Sequence, residues 1–225
     1  MRNYKAVFFD WDGTAVLSRS APVDAVVAPM CRLLEKNVKL CVISGTTYDK
    51  IAGGALGERF PVSMRKNLFL GLARGAFNYG FNAQGTLTPL CHALPEQPVL
   101  EQLHQLCFAL HEKLLHTYGL NTDIVFDRPN YCKLDLLCGV DRGEHLYFAA
   151  SEARLLEARL AAHGFDGGLQ GLIALAEKLG RQMHFSVKAT TDAKYLEVGL
   201  STKSDNVNFL LDYLHLDARD CCFWG

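Results

Sequence analysis

A short apolar strand that runs straight into two aspartates is the feature that most constrains this sequence. Residues 6–9 are Ala-Val-Phe-Phe, and Asp10, Asp12 and Gly13 follow within four positions. Four apolar residues in a row are typical of a strand buried on both faces, the usual interior strand of a parallel sheet. Gly13 supplies the turn by which the chain leaves such a sheet. This stretch therefore predicts an α/β fold built on a parallel sheet.

The two carboxylates are predicted to face one small space at the end of that strand. Ligands of open α/β sheets bind outside the carboxyl ends of the strands. Side chains two residues apart on an extended chain point the same way. Like charges at that distance repel each other unless a cation or a shared proton intervenes. Asp10 and Asp12 therefore indicate either a hard divalent cation or a pair in which one group is an acid while the other stays ionised.

A helix and a second strand complete the first predicted unit. Residues 23–37 carry apolar side chains at helical spacing, and residues 38–43 form a second apolar run. A right-handed crossover places the two strands side by side. Ser44, which follows the second strand, is therefore expected at the same edge as Asp10. A hydroxyl there can donate to a phosphoryl oxygen, although Ser-Gly-Thr is also a common helix cap.

The pattern of alternating strands and helices changes near residue 86. Before that point we predict a glycine-weakened helix over residues 48–58 and a third strand over residues 68–73. After it we predict helices over residues 96–118, 151–163 and 169–179, and strands over residues 123–127, 131–137, 183–189 and 195–199. Hairpins with helices to one side are typical of an α+β unit.

Three motifs together resemble those of the haloacid dehalogenase superfamily of phosphatases and phosphomutases. The sequence Asp-Trp-Asp-Gly-Thr at 10–14 resembles the first motif, and Ser-Gly-Thr at 44–46 follows a second strand as the second motif does. Lys203 stands at the start of a helix predicted over residues 204–214, as in the third motif. A lysine is less favourable there than at a helix end. The resemblance implies a Rossmann-like parallel-sheet core.

The resemblance also implies a role for each matching residue, with Mg²⁺ as the cofactor. Asp10 would be the nucleophile that attacks phosphorus, and Asp12 would be the acid and base that serves the leaving group and then water. The same two aspartates would bind the metal. Ser44, Gly45 and Lys203 would bind the phosphate.

The predicted α+β unit lies where the superfamily's C2-type cap is inserted, the cap of Cof-type sugar phosphatases and phosphomannomutases. This position implies a core over residues 1–85, a cap over residues 86–192 and a second part of the core over residues 193–225. The cap would close over the site and select the substrate. Its candidate substrate contacts are Arg128, Asn130 and Lys133, although an exposed turn with solvated charges explains each of them equally well.

The superfamily's fourth motif, Gly-Asp followed by another Asp, has no counterpart in the 225 residues. The predicted strand at 221–224 is followed by Gly225, and no carboxylate comes after it to complete the magnesium shell. We expect this strand to be an exposed apolar edge of the sheet. A truncated chain is one interpretation. A binding protein without catalysis is another.

Charge, apolar stretches and cysteine usage limit the possible binding partners and the cellular compartment of this chain. The net charge is −1, and no Lys/Arg run is present, so nucleic acid and anionic membranes are poor candidates. The sequence offers no room for a signal peptide before the first strand and no apolar stretch of membrane-spanning length. Its eight cysteines include no Cys-x-x-Cys pair, which favours reduced thiols in a cytoplasmic protein.

The resemblance to the haloacid dehalogenase superfamily implies a phosphoric monoester hydrolase that acts on a small phosphorylated metabolite. The type of cap implies a sugar phosphate, with an aspartyl-phosphate as the intermediate. A phosphomutase of the phosphomannomutase type would use the same residues and is the alternative within the same superfamily.

Overall fold

The computed structural model describes residues 4–18, 21–143 and 150–225, which divide into two compact units. The core unit comprises described residues up to Ala93, with 142–143 and 202–225. The insert unit comprises residues 94–141 and the described residues up to Ser201. The predicted core and cap boundaries, after residues 85 and 192, thus differ from the observed division. The strand around residue 90 stays with the core, and the strand around residue 197 stays with the insert.

The core unit is built on a six-stranded sheet, whose strands are Ala6–Asp10 (β1), Lys39–Ile43 (β2), Leu68–Leu72 (β3), Phe77–Phe81 (β4), Leu87–His92 (β5) and Cys221–Trp224 (β10). Their order in the sheet is β10-β1-β2-β3-β4-β5. The first four strands in that order are parallel, and β4 and β5 are antiparallel additions. The core helices are Asp24–Glu35 (α1), Val62–Arg65 (α2) and Lys203–Tyr213 (α6). The predicted α/β class is confirmed.

β1, β2 and β3 are covered on both faces, as their apolar sequences require. Alternate side chains point to opposite faces, so each strand contributes to two separate clusters. One face packs with Met30 and Leu34 of α1 and includes Leu40, Val42, Leu68 and Leu70. The other packs with Leu210 of α6 and includes Ala6, Phe8, Cys41, Ile43 and Phe69.

The prediction of a helix over residues 48–58 is wrong. The chain forms three separate 3₁₀ turns there: Tyr48–Lys50, Ala52–Gly54 and Leu56–Arg59. Ala52, Gly53 and Gly54 have φ angles of 50°, 66° and 78°, which are left-handed and incompatible with a continuous right-handed helix.

The insert unit has a four-stranded antiparallel sheet, as expected of an α+β unit, with the strands Asp123–Val125 (β6), Tyr131–Asp135 (β7), Lys188–Thr191 (β8) and Tyr195–Gly199 (β9). Their order in the sheet is β6-β7-β9-β8. The helices are Gln97–Tyr118 (α3), Ala150–Ala162 (α4) and Gly168–Gln182 (α5). β8 begins five residues later than predicted, because the residues after α5 cap that helix: the N–H groups of Met183 and Phe185 donate to the carbonyls of Leu179 and Gly180. Among the described residues, no helix combines the length and apolarity needed to cross a membrane.

Gly71 in β3 is closely packed, and we expect its substitution to destabilise the core unit. An added β-carbon would lie 2.6 Å from Cβ of Asn206 and 2.8 Å from Cδ1 of Ile43. Overpacking of this kind costs about 1–3 kcal/mol, so Gly71→Ala should lower the urea midpoint of unfolding. Gly80→Ala in β4 is the matched control, because its β-carbon would meet nothing closer than 3.4 Å. Equal midpoints for the two variants would contradict this packing.

Candidate active site

The first two predicted motifs meet at the carboxyl edge of the parallel strands. Asp10 is the last residue of β1 and pairs with Ile43, the last residue of β2. Ser44 is the next residue of the chain after β2, and its N–H donates to the carbonyl of Gly71 in β3. The edge formed by three neighbouring strands therefore carries the first aspartate and the serine side by side, as the right-handed βαβ connection predicts.

Asp10 forms an ion pair with Lys203 that joins distant parts of the chain. Oδ1 of Asp10 accepts hydrogen bonds from Nζ of Lys203 at 2.8 Å and from the backbone N–H of Trp11 at 2.9 Å. The side chains of Asp10 and Lys203 are 24% and 44% exposed, so a ligand can reach the pair. The structure thus brings the predicted nucleophile and the predicted phosphate-binding lysine into direct contact.

Lys203 is the first residue of α6, where the helix dipole disfavours a cation. Thr202 caps the helix, and its N–H donates to Oδ2 of Asp205 at 2.7 Å. A lysine has no acceptor for the N–H groups at a helix start, so Lys203 takes no part in this cap. Its ammonium group extends to Asp10 instead.

Asp12 and Ser44 form the second contact of the site. Oγ of Ser44 donates to Oδ2 of Asp12 at 2.8 Å and accepts from the N–H of Thr46 at 3.1 Å. Ser44 is fully buried. A hydroxyl has a single hydrogen to donate, so Ser44 in this arrangement orients the carboxylate of Asp12. Its predicted bond to phosphate stays a prediction.

The loop after β1 has the predicted turn at its glycine. Gly13 has a φ angle of 80°, and its N–H donates to the carbonyl of Val16 at 2.8 Å. Trp11 is 2% exposed and packs into the core between the two aspartates of the motif. The alternation of acid, buried tryptophan and acid anchors both carboxylates at the sheet edge.

Gly45 and Thr46 continue the loop after β2. Thr46 is 4% exposed, and among the described residues its Oγ1 has no hydrogen-bond partner. Its carbonyl accepts from the N–H of Ala73, which ties this loop to the end of β3. Gly45 lies between the two hydroxyl residues, and its predicted contact with phosphate stays a prediction.

The two aspartates suit a hard divalent cation. Among the described residues, Oδ2 of Asp10 and Oδ1 of Asp12 accept no hydrogen bond, so each carboxylate keeps one oxygen for a ligand. No group of three or more metal-ligating side chains occurs among those residues. Mg²⁺ commonly takes one or two carboxylates and keeps several waters. Gly225, after β10, approaches this edge so closely that an added β-carbon would lie 3.3 Å from Cβ of Asp10.

The three candidate substrate contacts lie together in the insert unit, around the turn between β6 and β7. Nη1 of Arg128 and Nζ of Lys133 both contact Oδ2 of Asp127, at 2.6 and 3.1 Å. The side chains of Arg128 and Lys133 are only 6% and 12% exposed, and Asn130 is 2% exposed. Burial and the neighbouring Arg128 lower the pKa of Lys133, while Asp127 opposes the shift.

Two buried polar residues of the core unit were missed or misplaced from the sequence. Arg74 is 2% exposed and has a φ angle of 52°. Asn206 is fully buried on α6. The signal for Asn206 was its position four residues before the buried Leu210, within the apolar stripe of the helix. The sequence offers no comparable signal for Arg74.

The fold has clear counterparts among solved structures. The IMP-nucleotidase of Plasmodium falciparum superposes on 99% of this chain with a TM-score of 0.66 at 13% sequence identity. A haloacid dehalogenase-like hydrolase from Bacteroides thetaiotaomicron also covers 99% of the chain, with a TM-score of 0.55 at 14% identity. The chain has the haloacid dehalogenase-like fold. The fold expected from the three motifs is thereby confirmed.

The sequence matches no protein-family model, and no curated protein matches it. The chain spans 59% of the length of the Plasmodium IMP-nucleotidase and 62% of a C-terminally truncated form of that protein. It spans 82% of the Bacteroides hydrolase.

Proposed function

We propose that this chain is a Mg²⁺-dependent phosphatase that hydrolyses a small phosphorylated metabolite through an aspartyl-phosphate. The observation that carries the proposal is the pair of contacts at one sheet edge, Lys203 with Asp10 and Ser44 with Asp12. Four residues from three distant segments supply a nucleophile, an acid and base, a cation and a positioning hydroxyl. The haloacid dehalogenase-like fold supports the same chemistry.

In the first step, Asp10 attacks phosphorus with the carboxylate oxygen that Lys203 does not hold. The bond from phosphorus to the ester oxygen breaks, and Asp12 gives its proton to the departing oxygen. Lys203 offsets the repulsion between the anionic nucleophile and the phosphate dianion. Its partly exposed ammonium group can contact a phosphoryl oxygen while it stays near Asp10.

In the second step, Asp12 takes a proton from the water that attacks the aspartyl-phosphate. The phosphorus–oxygen bond to Asp10 breaks, which releases inorganic phosphate and restores the carboxylate. Ser44 keeps the carboxylate of Asp12 in one orientation during both proton transfers. Asp10 and the backbone carbonyl of Asp12 would hold Mg²⁺, which supplies charge neutralisation for the phosphoryl oxygens and leaves the second oxygen of the Asp12 carboxyl for the proton transfers.

The substrate we propose is a sugar phosphate, selected by a C2-type cap formed by the insert unit. Arg128, Asn130 and Lys133 are the proposed contacts. Arg128 and Lys133 share the single carboxylate of Asp127, so the three charged groups together carry one excess positive charge, which favours an anionic or hydroxyl-rich ligand. The second candidate is a nucleoside monophosphate, because structural neighbours of this chain include the IMP-bound form of an IMP-nucleotidase. The phosphomutase alternative uses the same core residues.

A phosphate-release assay tests the function and sorts these substrates. The chain would be incubated with p-nitrophenyl phosphate, hexose phosphates and nucleoside monophosphates, with Mg²⁺ and with EDTA. We expect Mg²⁺-dependent release of inorganic phosphate from at least one substrate. Conversion of a hexose 1-phosphate to its 6-phosphate without release would favour the mutase. Binding without either reaction would favour a non-catalytic protein and overturn the proposal.

Ser44→Ala should lower kcat/KM without abolishing hydrolysis. The substitution removes the hydrogen bond to Asp12, and a bond to a charged group contributes about 1.5–3 kcal/mol, equivalent to roughly tenfold to a hundredfold in rate. Steady-state kinetics with p-nitrophenyl phosphate measures the change. Ser63→Ala, at an exposed serine of α2, is the matched control. Full activity in Ser44→Ala would show that Asp12 needs no support from this hydroxyl.

A further inference from the structure

Asn206 joins α6 to the segment that connects β3 and β4. Its Oδ1 accepts from the N–H of Gly75 at 2.6 Å. Its Nδ2 donates to the carbonyl of Phe77 and to Oδ1 of Asn78, both at 3.0 Å. Only one orientation of the amide satisfies these partners, since the carbonyls need a donor and the N–H needs an acceptor.

Asn206 is also tightly packed against the core sheet. Asn206 is fully buried, and Asn78 is 2% exposed. Cβ of Asn206 lies against Gly71 of β3, where only a glycine leaves enough room. A buried amide specifies one arrangement of its neighbours, because any shift leaves polar groups without partners at a cost. An apolar side chain at 206 could fill the volume but could not pair with Gly75.

Asn206 lies one helical turn after Lys203. Residues three apart share a helix face, and the rise between them is about 4.5 Å along the axis. The capping contact between Thr202 and Asp205 lies within the helix. The bonds of Asn206, by contrast, reach the sheet that carries Asp10.

We propose that Asn206 is a positioning residue that fixes the start of α6 so that Lys203 meets Asp10. The effect of Asn206 on catalysis rests on the proposed function. Its effect on the contact between Lys203 and Asp10 does not depend on that function. Asn206 is buried and does not touch substrate, so its effect runs through Lys203. Without the amide, the first turn of α6 is free to shift against β3, and the 2.8 Å bond between Lys203 and Asp10 is lost.

The geometric part can be tested by NMR without any substrate. Lysines of the full chain are ¹³C-methylated, and the Lys203 signal is assigned by its absence in Lys203→Arg. In the otherwise unchanged protein, this signal should shift when Asp10→Asn is introduced. In Asn206→Ala, the same response should be lost. If Asn206→Ala does not fold, Asn206→Ser is used in its place.

The matched control is Leu210→Ala, at a fully buried residue of the same helix. It removes packing from α6 but leaves the hydrogen bonds of Asn206 intact. Both variants should unfold more readily, yet only the Asn206 variant should lose the response of Lys203. Equal loss in both variants, or an unchanged response in Asn206→Ala, would overturn the inference.

A double-mutant cycle tests the catalytic part. Asn206→Ala should lower kcat/KM by about tenfold to a hundredfold, the usual cost of a misplaced catalytic group. In a Lys203→Met background, the same substitution should change kcat/KM by less than about twofold. An additive loss would show that Asn206 does not act through Lys203. If the unsubstituted chain hydrolyses nothing while the NMR response is present, the proposed function fails and the positioning inference stands.

Discussion

Asp10→Asn is expected to lower kcat/KM for any phosphate monoester by roughly 10⁴-fold or more, the scale seen when a covalent nucleophile is removed. The amide keeps an acceptor oxygen for Lys203 and for the N–H of Trp11, so the local hydrogen bonds survive. It cannot form the aspartyl-phosphate. Steady-state kinetics measures the loss, and acid-quenched mass spectrometry should show a phosphorylated Asp10 only in the unsubstituted chain.

Asp220→Asn is the control for that substitution. Asp220 forms an ion pair with Lys5 at 2.6 Å before β10, at the amino edge of the same sheet. Its side chain is 41% exposed, so an aspartate-to-asparagine change there should leave hydrolysis intact. Activity retained in Asp10→Asn would remove Asp10 from the role of nucleophile.

Lys203→Met should cost roughly 10²–10³-fold in kcat/KM, as for other groups that stabilise developing charge. Methionine keeps most of the length of the side chain but carries no charge, so the repulsion between Asp10 and the phosphate is no longer offset. Inhibition by inorganic phosphate should weaken together with catalysis, because the same ammonium group serves both. Kinetics at several phosphate concentrations measures both effects.

Lys203→Arg and Lys5→Met complete that experiment. The arginine variant keeps the charge in a planar group with different reach, and we expect it to restore part of the activity. Lys5→Met removes the lysine of an exposed ion pair at the opposite edge and should have little effect. If Lys203→Met were as active as Lys5→Met, the lysine would have no part in the reaction.

Much of the core unit could be predicted because the sequence patterns that identify its strands and helices lie within short segments of the chain. The apolar run before Asp10 identifies β1, and the βαβ connection places Ser44 beside it. Lys203 was identified from its unusual position at a helix start together with its resemblance to the third motif of the superfamily. The predicted edge strand at 221–224 is confirmed as β10, and Phe223 and Trp224 are 49% and 72% exposed.

The sequence did not predict which of the two sheets β5 and β9 join. β5 contains Pro89 and follows the predicted core boundary, yet it extends the core sheet at its outer edge, where a proline is tolerated. β9 has the pattern of any buried strand, and its pairing with β7 and β8 is decided by contacts distant in sequence. Arg74 is buried and has a left-handed backbone, and its residue type predicts neither property.

The order of strands in the core sheet has a consequence for synthesis on the ribosome. β1 emerges before its parallel neighbour β10, which is made more than 200 residues later. Until then Phe8 lacks the ring of Phe223, which stacks on it with centroids 5.1 Å apart. A nascent chain with β1 to β3 already paired therefore presents an open hydrogen-bonding edge beside Asp10, and chaperones that shield such edges have a long interval in which to act.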